Sequence, residues 1–318
     1  MPRVSLDLPA IEVTDLRKRY GQVDALAGLS MTVGRGEVFG FLGPNGAGKT
    51  TTVKILLGLA RPTSGGGKVL GAPMGDLATR RKVGYLPELF RYQPWLKAHE
   101  VLTLHAELMG LPRKRRRAAA DEALVVVGLA DRGGDLVGTF SKGMQQRLGL
   151  GTALLGDPAL VILDEPTSAL DPVGRVDVRQ IVRAAADRGA AVFLNSHLLS
   201  EVEQVCDRVA ILDHGRVVAS GELDDVLGRA ETQIRVTGLS IDDLPAIERF
   251  GPPTLAGDLL AIRPMNETEV PDLVAALVGM GAKVHEVRSG RTSLEQRFLS
   301  LVARDRPPAG TPSADRLR

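Results

Sequence analysis

Aromatic side chains are scarce. Seven Phe, three Tyr and one Trp make up 3 % of 318 residues. A core must therefore be built from Val, Leu, Ile and Ala, and an apolar content of 44 % is enough to build a sizeable one. Cysteine is nearly absent. The single thiol, Cys206, has no partner for an internal disulfide, which fits a reducing, cytosolic setting. It lies in an apolar-periodic stretch and reads as a packing residue. Long apolar runs are missing as well. The most apolar stretch, residues 148–163, is interrupted by Asp157 and Pro158, whereas a bilayer-spanning helix needs roughly 20 apolar residues. The first residues, with Arg3, Asp7 and two prolines, lack the apolar core of a secretory leader. An excess of one charge is also lacking. Lys and Arg number 40 against 38 Asp and Glu, a net charge of +2 that gives no support to bulk nucleic-acid binding. His99, His105, His214 and His285 carry no metal-ligand spacing, and no internal repeat is visible.

What is present is alternation. Short β-like runs and helical runs succeed one another from about Ile11 to Arg229: the run from Glu37 to Leu42 as a buried strand, Lys49 to Leu59 as a helix, then Leu160–Leu163, Ala191–Leu194 and Val209–Leu212 as further strands. Alternation of this kind predicts an α/β layer fold with a largely parallel sheet. Residues from about 88 to 155 depart from it and predict a helical insertion, with helices over Glu100–Met109, Ala118–Val127 and after Ser141. Composition changes near residue 230. Residues 230–303 then predict a small α+β domain in the order strand, helix, two strands, helix, strand, resembling a split βαβ sandwich and closed by a helix over Ser293–Val302. Residues 1–10 read as an N-terminal extension. The tail, 304–318, is too rich in Pro, Gly, Ser and Asp to bury a core and is expected to be disordered.

The strongest local signal is Gly43-Pro44-Asn45-Gly46-Ala47-Gly48-Lys49-Thr50, followed by Thr51. It fits G-x-x-x-x-G-K-[ST] between a predicted strand and a predicted helix. Glycines let the backbone wrap a polyphosphate closely. Successive N–H groups form an anion nest, and the helix that follows turns its positive dipole end toward the same charge. Lys49 would neutralise phosphate oxygens, and the Thr50 hydroxyl would face Mg²⁺. A second signal is Leu160-Val-Ile-Leu-Asp164-Glu165, a buried strand that delivers two acids to the carboxyl edge of a sheet, where open α/β folds bind ligands. Neighbouring residues on a strand point to opposite sides, so Asp164 can serve Mg²⁺ while Glu165 polarises water.

Four further segments accompany these two. Phe140-Ser141-Lys142-Gly143-Met144-Gln145-Gln146-Arg147 precedes the acidic strand, and Ser168-Ala-Leu-Asp171 follows it. Ser196-His197 ends the next strand, and Tyr20 lies in a β-like run upstream of the glycine-rich loop. In this order the segments resemble the nucleotide-binding domain of an ATP-binding-cassette (ABC) transporter over residues 10–229. The resemblance implies a P-loop NTPase (RecA-like) core with an N-terminal antiparallel β part over 11–229, and ATP with Mg²⁺ as its ligands. It implies that Tyr20 stacks on adenine and that Gly43 to Thr51 hold the phosphates. It also implies that Thr50, Glu88 and Asp164 serve the metal, and that Glu165, His197 and Lys49 act in catalysis. Ser141, Lys142, Gly143 and Met144 would face the ATP of a second copy or a close paralogue, and Asp171 would organise that interface. Ser141 is independently a good N-cap, opening a helix whose N-terminus can receive an anion.

Two segments depart from the family pattern. The usual leucine, serine, glycine, glycine, glutamine is here Phe140, Ser141, Lys142, Gly143, Met144, and the loop after Pro87 carries Glu88 where glutamine is usual. The Leu86-Pro87-Glu88 loop and the Ser293-Leu-Glu-Gln-Arg-Phe-Leu299 segment resemble the ATPase subunits of the ABC-2 export group. That resemblance implies an ATPase, peripheral at the cytoplasmic face, that drives export through a separate integral-membrane permease. The competing expectation is a soluble ABC ATPase of DNA repair or of the ribosome. The long heptad insertion of the former and the second cassette of the latter are both absent from the sequence. Phe90, Tyr92 and Trp95 stand out as a permease-docking cluster, with local packing as the alternative. Arg113 to Arg117 reads as a solvated helix start, or as a contact for anionic headgroups.

Overall fold

A computed structural model describes residues 8–228, 231–265, 267–290 and 293–302. The extension up to residue 7 and the tail from residue 303 lie outside the described residues. Packing divides the chain into two compact units at Gly221/Glu222, some residues before the compositional change near 230. The reason is local: Leu223–Leu227 forms a short helix with buried Leu223, Val226 and Leu227, and the Val226 carbonyl accepts a hydrogen bond from Arg297 Nε at 3.0 Å.

The first unit opens with β1 (Ile11–Tyr20) and β2 (Val23–Val33), an antiparallel pair, followed by β3 (Val38–Leu42) and α1 (Lys49–Leu56). Next come β4 (Ser64–Val69), β5 (Ala72–Pro73), α2 (Leu77–Arg80) and β6 (Val83–Leu86). Three helices follow: α3 (Ala98–Leu108), α4 (Arg113–Val126) and α5 (Lys142–Leu154). The unit ends with β7 (Leu160–Asp164), α6 (Pro172–Asp187), β8 (Ala191–Asn195), α7 (Leu199–Val205), β9 (Arg208–Asp213) and β10 (Arg216–Glu222). Two sheets result. One is antiparallel in the order β2-β1-β4-β5, and the other runs β10-β9-β3-β8-β7-β6. In the latter β3 pairs in parallel with both β8 and β9, and β7 with both β6 and β8. Every residue of β3, β7 and β8 is buried. That is why these strands are continuous apolar runs: a parallel sheet is covered on both faces. Scarce aromatics are spent at the centre, where Phe41 lies 5.0 Å from Phe193 and Phe39 6.0 Å from it on the other side.

Among the helices, α1 and α4 depart most from the sequence reading. α1 ends at Leu56 rather than Leu59, because Gly58 takes a left-handed φ of 66° that stops the helix. α4 starts at Arg113 rather than Ala118, so the basic run is itself helical.

The second unit, after α8 (Leu223–Leu227), comprises β11 (Glu231–Thr237), a 3-10 segment (Ile241–Phe250), β12 (Pro253–Ala256), β13 (Leu259–Ile262), α9 (Val270–Gly279), β14 (Lys283–Gly290) and α10 (Leu294–Val302). Its sheet order, β12-β13-β11-β14, is antiparallel throughout. Ile234, Leu260 and Ile262 from the sheet pack with Leu273 and Leu277 of α9.

Candidate functional site

The ends of β3, β7 and β8 frame a cleft of about 420 Å³. The parallel arrangement brings three carboxyl strand ends side by side, at the edge where open α/β sheets bind ligands. Asn45, Gly46, Gly48, Lys49, Thr50, Thr51, Glu88, Asp164, Glu165 and His197 line it, together with Ala25 and Asn195.

The glycine-rich loop leaves β3 and enters α1 through Gly48, whose φ of 108° suits glycine alone and whose position as N-cap provides no side-chain cap. The first-turn N–H groups of α1 are therefore left for an incoming acceptor. No acidic residue sits in that turn, and an acid there would compete with an anion. A Cβ at Gly48 would run into the Ala25 carbonyl and come within 2.8 Å of Leu26, while Gly46 has nothing within 4 Å and opens toward the cleft. Gly43, Pro44 and Ala47 shape the loop from behind. Lys49 Nζ donates to the Gly43 carbonyl at 2.7 Å and the Pro44 carbonyl at 3.2 Å. The Ala47 carbonyl is held by Gly215 N–H at 2.9 Å. Burial lowers the Lys49 pKa below the usual ammonium range, opposed by the negative charges of Glu165, Asp164 and Glu88.

Asp164 and Glu165 are 3 % and 7 % exposed. Asp164 pairs in register with Asn195 of β8 and accepts a hydrogen bond from its side-chain amide. Burial raises the Asp164 carboxyl above its usual value. The Asn195 bond opposes that shift, Glu88 and Glu165 add to it, and Lys49 draws it down. Glu165 sits at φ 53°, a left-handed backbone that costs a non-glycine residue about 1–3 kcal/mol. The turn is what separates the two acids' directions. Its N–H donates to the Asn195 carbonyl at 2.9 Å. Its carboxylate lies 2.7 Å from His197 Nδ1 and 3.5 Å from Ser196 Oγ. Glu88 completes a set of three carboxylates around one lysine. Hard oxygen donors from Glu88, Asp164 and Thr50 fit a magnesium ion, and the buried Asn195 Oδ1, which has no hydrogen-bond partner among the described residues, offers one more oxygen.

Other predicted positions lie elsewhere. Tyr20 does not line the cleft: its ring is 48 % exposed, with Lys18 Nζ 4.7 Å from the ring centre. Ser141 caps α5, accepting from Met144 N–H at 3.2 Å, so Ser141, Lys142, Gly143 and Met144 form that helix's first turn, outside the cleft. Asp171 caps α6, accepting from Gly174 N–H at 2.7 Å. The aromatic cluster divides. Tyr92 bonds Thr152 at 3.0 Å, has its phenol pKa pushed up to about 12 by burial, and lies tilted against Phe90 with ring centres 5.3 Å apart. Trp95 stays 71 % exposed and Leu89 88 % exposed. Phe90 and Tyr92 thus serve packing, because Gly149 and Thr152 of α5 leave room for them. Asn195 and Ala25 were not legible as site residues. Only strand pairing and the approach of β2 bring them in.

Comparison with known proteins gives the family. A family model described as ABC transporter matches residues 26–168. The daunorubicin resistance ATP-binding protein DrrA3 of Streptomyces coeruleorubidus is 37 % identical, over 93 % of this chain and 97 % of its own. The bacitracin transport ATP-binding protein BcrA of Bacillus licheniformis is 41 % identical over 69 % of this chain and 72 % of its own. A solved dimeric structure of a bacterial ABC transporter cassette superposes with a TM-score of 0.62 at 26 % identity, covering 67 % of this chain and 99 % of that one. With a glycine-lined cradle, a buried acid pair and these relatives in agreement, the chain belongs to the ABC transporter family as an ATP-binding, ATP-hydrolysing subunit.

Proposed function

We propose that the chain hydrolyses ATP in the cleft between α1 and the ends of β7 and β8 to drive export of a substrate through a separate membrane-spanning permease. The observation that carries the reading is the 2.7 Å approach of His197 to Glu165, opposite the Lys49 cradle. A buried carboxylate lines the same cleft as the cradle, where a water would approach the terminal phosphate. Gly43 to Thr51 bind the phosphates. Lys49 leaves its two loop carbonyls for phosphate oxygens, which are stronger acceptors. Glu165 takes the proton of the attacking water, an effect worth typically 10²–10⁴-fold. His197 orients that water and holds the base. Thr50, Asp164 and Glu88 hold Mg²⁺, which supplies charge neutralisation on the phosphates.

The signature turn from Ser141 to Met144 lies away from the chain's own cleft, which supports its use on the nucleotide of another subunit. A second copy or a close paralogue would be joined through the two nucleotides, with Asp171 near the seam and Tyr20 against the adenine. The dimeric cassette that matches this chain supports that assembly. Among the described residues no helix is long and apolar enough to cross a membrane. The permease would be a separate chain and would hold this subunit at the cytoplasmic face. Trp95 and Leu89 are the exposed apolar residues next to Glu88 that would meet it. The relatives' names, resistance and transport proteins, favour export over the soluble DNA-repair or ribosomal reading.

Glu165→Gln tests the base. It is expected to bind ATP with the parent affinity and to lose at least 99 % of turnover, measured by phosphate release and nucleotide titration. Parent-like turnover would remove Glu165 from the reaction.

A further inference from the structure

Several buried polar side chains stand outside the cleft, and one of them bonds to the backbone of Glu165. Gln146, the fifth residue of α5, is 5 % exposed and does not line the cleft. It stands on a helix whose other buried positions are mostly apolar or small, Leu148, Leu150 and Ala153 among them. An amide there is costly unless bonded, and a methionine would fill the same space without that cost. The amide is bonded twice. Its Nε2 donates to the Glu165 carbonyl at 3.3 Å and the Pro166 carbonyl at 3.0 Å. These two carbonyls belong to the left-handed turn that begins at Glu165. The rest of that turn is held from other sides: Glu165 N–H by Asn195 of β8, and the Glu165 carbonyl by Ser168 N–H and Oγ at 3.4 and 3.1 Å. Of these supports only Gln146 comes from α5, the helix that Ser141 caps.

We infer that Gln146 is a positioning residue whose amide fixes the turn that aims the Glu165 carboxylate into the cleft, so that the base's direction depends on the placement of α5. The inference rests on Glu165 acting as the base. It ties a helix whose first turn faces away from the chain's own cleft to the acid inside that cleft, through two hydrogen bonds and no ligand contact.

The test uses the full chain and its ATPase activity. Gln146→Met keeps the length and removes both donors. Its kcat is expected to fall about 10–100-fold, the scale of a reacting group displaced by about an ångström. Its KM for ATP should stay within twofold, because Gln146 does not line the cleft and reaches only the backbone behind Glu165. Gln146→Glu places an acceptor-only carboxylate against two carbonyls. It should be nearly inactive at alkaline pH and recover as the pH falls and the protonated acid can donate, a limb the parent enzyme lacks. Combining Gln146→Met with Glu165→Gln should cost nothing beyond Glu165→Gln alone, since both changes act on one group. A Gln146→Met kcat within twofold of the parent, a KM rising in step with the loss, or losses that multiply in the double variant would each overturn the inference. If Gln146→Met does not fold, a Gln146→Glu profile parallel to the parent's does the same. Failure of the underlying reading is distinct: Glu165→Gln alone would then turn over normally.

Discussion

Two glycines of the cradle, two residues apart, should respond differently to the same methyl group. Gly46 and Gly48 both have positive φ, 82° and 108°. Alanine at either pays the dihedral penalty, about 1–3 kcal/mol for a non-glycine residue held there. Their surroundings differ. A Cβ at Gly46 meets nothing within 4 Å. At Gly48 it collides with the Ala25 backbone carbonyl and with Leu26, a core side chain 1 % exposed. Neither neighbour can retreat. Ala25 and Leu26 belong to β2, and Ala27 next to them donates to the Gly215 carbonyl at 2.9 Å. Overpacking of a fixed site adds about 1–3 kcal/mol. Gly48→Ala should therefore cost about 2–6 kcal/mol and Gly46→Ala about 1–3 kcal/mol. At roughly 2–4 °C per kcal/mol for a domain of this size, the Gly48 variant should melt several degrees below the Gly46 variant in calorimetry without nucleotide. ATP titration gives the second axis. Gly46→Ala should weaken binding at least tenfold while remaining folded, because its methyl projects into the open cradle. Equal melting temperatures for the two variants, or parent-like ATP affinity for Gly46→Ala, would refute the reasoning.

Two further outcomes follow from the buried charges. Asp164 has its carboxyl value raised by burial, so its contribution to stability is present below the unfolded value and lost as pH rises through the folded one. Asp164→Asn should hence raise the melting temperature of the nucleotide-free protein at pH 7 by a few degrees and flatten its fall with pH, while abolishing magnesium-dependent ATP hydrolysis; a lower melting temperature would contradict the assignment. The Arg179–Glu201 pair, 2.7 Å apart and largely buried, joins α6 to α7. Arg179→Ala strands the Glu201 carboxylate, 8 % exposed, and should cost about 3 kcal/mol in denaturant unfolding. Adding Glu201→Gln should recover part of that loss.

Local chemistry that a strand or loop states for itself was legible in the amino-acid order. The apolar runs of four or five residues in β3, β7 and β8 announce a doubly covered parallel sheet, because no half-exposed strand tolerates them. The glycine-rich loop and the Asp164–Glu165 step declare their chemistry through residue type and spacing, and Ser141 declares a helix start as an N-cap. Burial of particular side chains was not legible. Phe90, Tyr92 and Trp95 are alike in sequence, yet Gly149 and Thr152 of α5 admit the first two and leave the third outside. Neither Asn195 beside Asp164 nor Gln146 beneath Glu165 carries a local signal, since each acts through a partner 31 or 19 residues away. The order of residues thus determined which groups could grip a polyphosphate and on which kind of element they would stand. Tertiary packing alone decided which of them face one cleft and at what angle, because strand register and helix placement depend on contacts between segments that a linear pattern does not contain.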